Sequence, residues 1–314
     1  MAAARPEKAT VRGLWVEEVR AARDATPPEV VPLYVTLPGA EGGDIQALID
    51  AGIIGLEENG AIAAEDGLRI VAVENSPGAV IQLQSRFFGL KILEEPLHSL
   101  LHSTSPVAWP VGEHRRFFRG QVVNLDLDGP LGAEVESGQL AFPVLALIKK
   151  LSTLHAQPPH IEWSLCLTLH GDFDWTPEAE RLALTFLKAN LERDAAFSTA
   201  AETALGGSLH QALLNPDTLS AQELTPEDKQ RLLMVLVPKR IAFDVHRDGW
   251  SVETTENIRY GGTEHRAPMV TWIMRFRWDV RTSTHPEIVY GEALAGVLRR
   301  CGQIDADGNL TRAA

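Results

Sequence analysis

The amino-acid sequence predicts an α/β protein with a doubly wound, mostly parallel sheet. Strand-like and helical runs alternate five times within the first 175 residues, and such alternation is typical of βαβ units. The run at residues 68–74 is apolar at nearly every position, as expected of a parallel strand that is buried on both faces. The runs at residues 250–260 and 269–279 alternate apolar and polar residues instead, and so predict an antiparallel pair.

The individual elements follow from apolar patterning and from helix-start signals. Strands are predicted at residues 31–37, 68–74, 90–95, 121–128 and 162–169, and helices at 13–25, 44–51, 77–88, 143–155 and 294–301. Residues 1–11 are expected to be disordered. Ser76-Pro77, Thr176-Pro177 and Thr225-Pro226 are helix starts, because the hydroxyl caps free N–H groups and proline suits the first helical position.

These elements divide the chain into five segments. They are an N-terminal helical extension (1–29), a Rossmann-like cofactor-binding core (30–175), a helical insertion (176–239), the last two strands of the same sheet with a closing helix (240–302), and a tail (303–314).

Composition limits the compartment and the partners. The two cysteines, Cys166 and Cys301, lack metal-ligand spacing, and no apolar run approaches membrane-spanning length. We therefore expect a cytoplasmic protein with no membrane segment and no structural metal. The net charge is −13, but residues 225–300 carry twelve Lys/Arg against ten Asp/Glu. Nucleic acid would therefore need a local basic face, with the C-terminal third as the better candidate.

The stretch that bears most on function is the turn Pro38-Gly39-Ala-Glu-Gly42-Gly43, which joins the first strand to the helix that begins at Asp44. Glycine lets the backbone approach a ligand closely and adopt a positive φ. A strand, a glycine-rich turn and a helix in this order seat nucleotide-like ligands in α/β proteins.

Polar side chains also end the second, third and fourth strands, at the edge where parallel sheets bind ligands. They are Glu74 and Asn75, Glu94 and Glu95, and Asn124, Asp126 and Asp128. A carboxylate at the end of the second strand can accept hydrogen bonds from two vicinal hydroxyl groups, or it can cap the helix after Ser76. Asp126 and Asp128 are two residues apart and share one face of a strand, where they serve catalysis or cap the next loop.

Together, the five strand–helix units, the glycine-rich turn and the final antiparallel pair resemble the class I S-adenosylmethionine (SAM)-dependent methyltransferases. The resemblance covers roughly residues 30–280 and implies a seven-stranded doubly wound sheet with an antiparallel last strand, interrupted here by the helical insertion. The motif Asn124-Leu-Asp126-Leu-Asp128-Gly-Pro130 is also distantly similar to that of tRNA guanosine dimethyltransferases. The chain further resembles the three-Cys-motif partner proteins, a group of bacterial methyltransferase-like proteins.

The resemblance assigns roles to these residues. It implies a turn that passes under SAM, an acid that binds the ribose, an acid beside the adenine, and a fourth-strand motif near the methyl group. These roles fall to Pro38, Gly39, Gly42 and Gly43, to Glu74 with Asn75, to Glu94 or Glu95, and to Asn124 with the catalytic candidates Asp126 and Asp128.

Three functions remain open at this stage. The first is methyl transfer from SAM to a nucleic acid or another macromolecule, with the carboxylates accepting a proton or orienting an amine. The second is a catalytically inactive methyltransferase-like module of a bacterial multi-protein system, favoured by Leu37-Pro38 where the family has an acid. The third, a nicotinamide dehydrogenase, is disfavoured by the final antiparallel pair.

Weaker signals lie outside these strand ends. The run Arg115-Arg116-Phe117-Phe118-Arg119 combines the groups that bind nucleic acid, and a solvated loop explains it as well. The same alternatives apply to Arg275, Arg277 and Arg281. His98 and His102 have i, i+4 spacing, but surface histidines explain them better than a metal site does. The loop at residues 170–175 lines a pocket or forms a simple turn.

Overall fold

The computed structural model describes residues 5–26, 32–94, 96, 118–132, 134–136, 139–171, 176–205, 207–216, 224–263, 266–279 and 294–312. Its named helices are α1 (Pro6–Ala25), α2 (Gly43–Asp50), α3 (Ala64–Gly67), α4 (Pro77–Arg86), α5 (Pro143–His155), α6 (Pro177–Arg193), α7 (Ala195–Ala204), α8 (Gly207–Leu214) and α9 (Pro226–His246). Residues 294–299 are also helical.

The strands form one nine-stranded sheet and one small pair. The strands are β1 (Tyr34–Thr36), β2 (Ile70–Val73), β3 (Lys91–Leu93), β4 (Val122–Pro130), β5 (Glu134–Glu136), β6 (Gln139–Ala141), β7 (Trp163–His170), β8 (Trp250–Thr263), β9 (Arg266–Trp278), β10 (Cys301–Ile304) and β11 (Leu310–Arg312). The order in the main sheet is β11-β10-β8-β9-β7-β4-β1-β2-β3, and β5 pairs only with β6. The expected α/β architecture with a mostly parallel sheet is confirmed.

The parallel half of the sheet changes direction between β1 and β4. From β1 the chain moves outward to β2 and β3, then returns to place β4 on the other side of β1, followed by β7. Thr36 lies beside Asn124 in this central pair. Because the connections leave β1 and β4 in opposite directions, their carboxyl ends form a switch point, the place where doubly wound sheets bind ligands, and we call this place the crevice.

The other half contains the predicted antiparallel pair and two strands that the sequence did not predict. Strand β9 lies between β7 and β8 and is antiparallel to both. Strand β10 then adds parallel to β8, and β11 adds antiparallel to β10. The expectation of seven strands was therefore wrong. The closing helix ends before Cys301, and part of the presumed tail is strand, because the edge of β8 offers backbone groups that a short, polar segment can satisfy.

Helices cover both faces of the sheet. Buried apolar side chains of α5 to α9 pack with one set of alternating strand residues, including Val35, Leu125 and Leu167. Those of α1, α2 and α4 pack with the other set, which includes Tyr34 and Val122. The two faces match the alternation of side chains along each strand.

Helix α1 begins earlier than the sequence predicts, which corrects the expectation of disorder through residue 11. Proline takes the first position of the helix, and Val11 and Trp15 are buried against the sheet. At the other end, both carboxylate oxygens of Glu18 accept hydrogen bonds from Arg275 at 2.8 Å. Glu18 looks like a solvated surface residue in the sequence because its partner Arg275 lies 257 positions further along the chain.

Local helix signals are confirmed where the structure describes them. The hydroxyl groups of Ser76 and Thr176 accept the N–H groups of the residues three positions on, at 3.5 and 3.2 Å. Thr225 and Asp228 form a reciprocal capping box. Within the described ranges, every helix is too short or too polar to span a lipid bilayer.

Candidate functional site

The predicted site residues surround the carboxyl ends of β1, β2, β3 and β4. Pro38 and Gly39 follow β1, Glu74 and Asn75 follow β2, and Glu94 follows β3, while Asn124, Asp126 and Asp128 lie within β4. The side chain of Asp128, and Glu95 altogether, lie outside the described part of the structure.

The glycine-rich turn serves two purposes. Gly39 has a φ of 59° and no atom within 4 Å of the place where a Cβ would stand, so its exposed side faces open space. Gly42 has a φ of 55°, and a Cβ there would collide with the ring of Phe87. A Cβ on Gly43 would collide with the guanidinium group of Arg12. Two of these glycines thus make room for the protein's own side chains, and Gly39 leaves room beside the turn.

A buried polar cluster lies under the turn, and sequence reasoning found only one of its members, Asn124. The Tyr34 hydroxyl donates to Oδ2 of Asp44 at 2.9 Å, and Thr36 donates to the same oxygen. The amide of Asn124 donates to the Tyr34 hydroxyl at 2.9 Å. Burial, followed by the charge of Asp44, raises the pKa of Tyr34 well above its usual value. The cluster therefore joins the start of α2 to β1 and β4.

This cluster is only partly satisfied. Oδ1 of Asp44 and Oδ1 of Asn124 are buried and accept no hydrogen bond within the described residues. Buried polar oxygens are usually paired, because an unpaired one costs about 1–3 kcal/mol. Two unpaired acceptors at the crevice suit a donor from water or a ligand. The sequence signal for this cluster was the alternation of Tyr34 and Thr36 on one face of β1, opposite an acid in the first turn of α2.

Asp126 faces a cation from the N-terminal helix. Both of its carboxylate oxygens accept hydrogen bonds from the Lys8 ammonium group, at 2.8 and 2.6 Å, and the two side chains are 23 % and 20 % exposed. Tyr260 lies nearby on β8, where burial and then the charge of Asp126 raise the pKa of its hydroxyl. That hydroxyl is buried without a hydrogen-bond partner among the described residues. Lys8 and Tyr260 were not predicted as part of the site.

Glu74 combines the two roles that the sequence left open. Its Oε1 accepts the N–H of Ser76 at 2.8 Å, so the carboxylate does cap the start of α4. Its Oε2 accepts no hydrogen bond from the described residues, and the side chain is half-buried. Asn75 and Glu94 are exposed. One carboxylate oxygen is thus fixed in place while the other remains available to a ligand.

The residues present fit the polar groups of SAM. Gly39 leaves open space beside the turn, Oε2 of Glu74 can accept ribose hydroxyl groups, and the unpaired oxygens of Asp44 and Asn124 can accept N–H donors. These are acceptors for a cationic, hydroxyl-rich molecule.

The predicted basic candidates are largely engaged within the fold. Arg119 donates to the carbonyl groups of Gln157, at 2.7 Å, and of Pro159. Arg275 pairs with Glu18. Each of these guanidinium groups therefore stabilises a contact inside the chain.

Of the other basic and histidine candidates, one forms an ion pair and the rest lie outside the described part of the chain. Arg277 pairs with Glu253 at 3.3 Å. Arg115, Arg116, Arg281, His98, His102 and residues 172–175 lie outside the described ranges. Among the residues that are described, no group of three or more His, Cys, Asp or Glu side chains could hold a metal ion.

Comparison with known proteins adds little. No family model matches the chain, and no curated protein matches it. Among solved structures, it is similar to a protein titled as a possible exported protein from Bordetella parapertussis. The identity is 12 %, the TM-score is 0.30, and the match covers 82 % of this chain and 67 % of that one. At such a TM-score the likeness carries no argument. The fold and the site by themselves define a class, an α/β protein with polar groups at the switch point of its sheet.

Proposed function

We propose that the chain is a SAM-dependent methyltransferase-like protein that binds SAM at the carboxyl ends of β1, β2 and β4. The observation that carries the proposal is the switch point between β1 and β4, where Gly39 leaves open space beside the turn and Asn124 and Asp126 lie on β4. Ligands of doubly wound sheets bind at this place. The antiparallel β9 between β7 and β8 supports the same proposal, because the methyltransferase resemblance implies an antiparallel last strand.

Two acidic side chains have separate roles in this proposal. Glu74 is held at the end of β2 by the N–H of Ser76, so its Oε2 can accept hydrogen bonds from ribose hydroxyl groups. Asp126 is partly exposed at the crevice and can accept a proton from the attacking atom, or can orient it. SAM supplies a methyl group on a cationic sulfur, and the remaining task of the protein is positioning.

The proposed acceptor is a nucleic acid or another macromolecule. The net charge of −13 means that a polyanionic acceptor would have to be recognised by local basic groups. Lys8 is such a group at the crevice itself, and it is 20 % exposed.

Calorimetric titration of the full chain with SAM tests the proposal. Wild type should bind saturably, and Glu74→Gln should lose about 1 kcal/mol or more of binding free energy, roughly fivefold in affinity, because a hydrogen bond to a charged acceptor is lost. Glu58→Gln is the matched control, since Glu58 is an exposed glutamate in the loop before β2. An equal affinity for wild type and Glu74→Gln would contradict the assignment of Glu74.

A second candidate function follows from Lys8 and Arg12. A lysine pairs with Asp126 and an arginine packs on Gly43, so positive groups of α1 already contact the predicted site. This arrangement favours a catalytically inactive module that binds another protein. A folded wild-type chain that shows no saturable SAM binding at millimolar concentration would contradict the first proposal and favour this one.

A further inference from the structure

A cavity lies at the opposite half of the sheet, far along the strand order from the carboxyl ends of β1 and β4. It has a volume of about 250 Å³ and lies between the end of α7, α9, β8 and the β10–β11 pair. The volume is just below the roughly 300–1,000 Å³ of pockets that hold drug-sized ligands. The cavity therefore suits a small molecule or one group of a larger one.

The charge of this cavity differs from that of the whole chain. Its charged lining residues, among those described, are Arg231 of α9, Arg259 of β8 and Arg312 of β11. Their side chains are 31 %, 21 % and 40 % exposed. In a chain of net charge −13, two guanidinium groups that meet at one carboxylate beside the cavity, those of Arg231 and Arg259, form a locally basic site that attracts anions.

The acids that pair with these arginines hold them in place from outside the lining. Oε1 of Glu227 contacts Arg231 at 3.0 Å and Arg259 at 2.8 Å. Glu256 contacts Arg312 at 2.6 Å. The hydrogen bond from Arg259, together with the charge of Arg231, lowers the pKa of Glu227 below its usual value. At the cavity one carboxylate, that of Glu227, thus orients two cations and leaves an excess of positive charge, whereas Arg312 and Glu256 pair on the other face of the sheet.

Donor capacity also remains at the cavity. Arg231 uses one further N–H on the carbonyl oxygen of Leu205, and Arg259 uses one on the side-chain oxygen of Gln303. Since each guanidinium group has five N–H donors, most of them are not used by bonds within the described residues. Planar forks of donors at fixed positions match the oxygens of a phosphate group.

We infer that this cavity binds a small phosphate-bearing anion, with Arg231 and Arg259 as its ligands. The site depends on β10 and β11, because Gln303, Thr311 and Arg312 complete its wall. It is independent of the SAM proposal, since it shares no described residue with the crevice at β1 and β4.

Calorimetric titration of the full chain with inorganic phosphate and with pyrophosphate, at constant ionic strength, tests the inference. Wild type should bind one anion saturably, with pyrophosphate binding more tightly because it offers more oxygens. Arg231→Gln and Arg259→Gln should each weaken binding by about tenfold or more, since each removes a charge-assisted pair of donors. Far-UV circular dichroism of both variants guards against misfolding, because both arginines also pair with Glu227.

Arg277→Gln is the matched control, because Arg277 is an exposed arginine of β9 that lies outside the cavity lining. Its replacement, and that of Glu74, should leave phosphate binding unchanged. If no saturable binding is seen with about 10 mM anion, the dissociation constant is weaker than millimolar. That result would overturn the inference. So would an equal loss in Arg277→Gln, or Arg259-dependent binding of a single-stranded oligonucleotide without binding of phosphate.

Discussion

The sharpest quantitative prediction concerns His155, a fully buried histidine at the last turn of α5. Its ring nitrogens contact the carbonyl oxygens of Leu151 at 2.8 Å and of Gly120 at 2.9 Å, and the ring stacks on Trp163. Burial lowers the pKa of this imidazole from 6.5 to about 4, although the two carbonyl groups oppose that shift. Between about pH 4 and pH 6.5, the imidazole is therefore neutral in the folded protein but protonated in the unfolded chain.

The sign and the magnitude follow from linkage. Because the unfolded state binds the proton more readily, the native state loses stability as the pH falls from 6.5 toward about 4. From these two pKa values, the free energy of unfolding should fall by about 2 kcal/mol between about pH 7.5 and about pH 5 on account of His155 alone. The full effect, reached below the folded pKa, is about 3 kcal/mol.

Urea unfolding of wild type and His155→Gln at both pH values measures this difference. The variant should be less stable at neutral pH, but its stability should decline by about 2 kcal/mol less on acidification. Leu147→Ala is the control for simple damage to α5, because Leu147 is a partly buried residue of the same helix with no titrating group. It should lose stability by the same amount at both pH values. Parallel pH profiles for wild type and His155→Gln would refute the reasoning.

Two further predictions concern the crevice. Asp126→Asn should leave SAM affinity within about twofold but reduce the rate of methyl transfer at least about 100-fold, as expected for the loss of a general base. Transfer of a labelled methyl group to nucleic acid measures this rate, and retained turnover would exclude Asp126 as the general base. Gly42→Ala should cost about 2 kcal/mol or more in urea unfolding, because φ strain adds to the collision with Phe87, whereas Gly39→Ala should cost about 1 kcal/mol from strain alone. Equal losses at the two glycines would contradict the role given to Phe87.

Features set by neighbouring residues were predictable from the sequence. The hydroxyl caps at Ser76, Thr176 and Thr225 are present, and α5 has the predicted bounds at both ends. Each depends on groups within one helical turn, which a reader of the sequence can see together. The antiparallel β8–β9 pair was predictable for a similar reason, because alternation marks a half-buried strand.

Features set by distant residues were not predictable. Lys8 and Asp126 are 118 positions apart, and Asn124 and Tyr34 are 90 apart. The alternation of Tyr34 and Thr36 places both on one face of β1, but it does not show which residues the Tyr34 hydroxyl contacts, because these partners come from other elements. Strand β10 was missed because it is only four residues long, two of them glycine and glutamine, and its pairing is with the edge of β8. The candidate crevice was therefore predicted from its acids, without the cations and hydroxyl groups around them.

The anchoring of α1 has a consequence for the time course of biosynthesis. This helix is translated before every other described element, yet Thr10 donates to the carbonyl oxygen of Gly308, which follows 298 residues later. At about 5–20 residues per second, a ribosome needs roughly 15–60 s to cover that distance. During that interval α1 lacks its bonds to Arg275 and Gly308, and the sheet against which its apolar face packs is still incomplete. The lysine beside Asp126 thus belongs to a segment that is made before the sheet on which it packs and that gains its bond to Gly308 only 298 residues later.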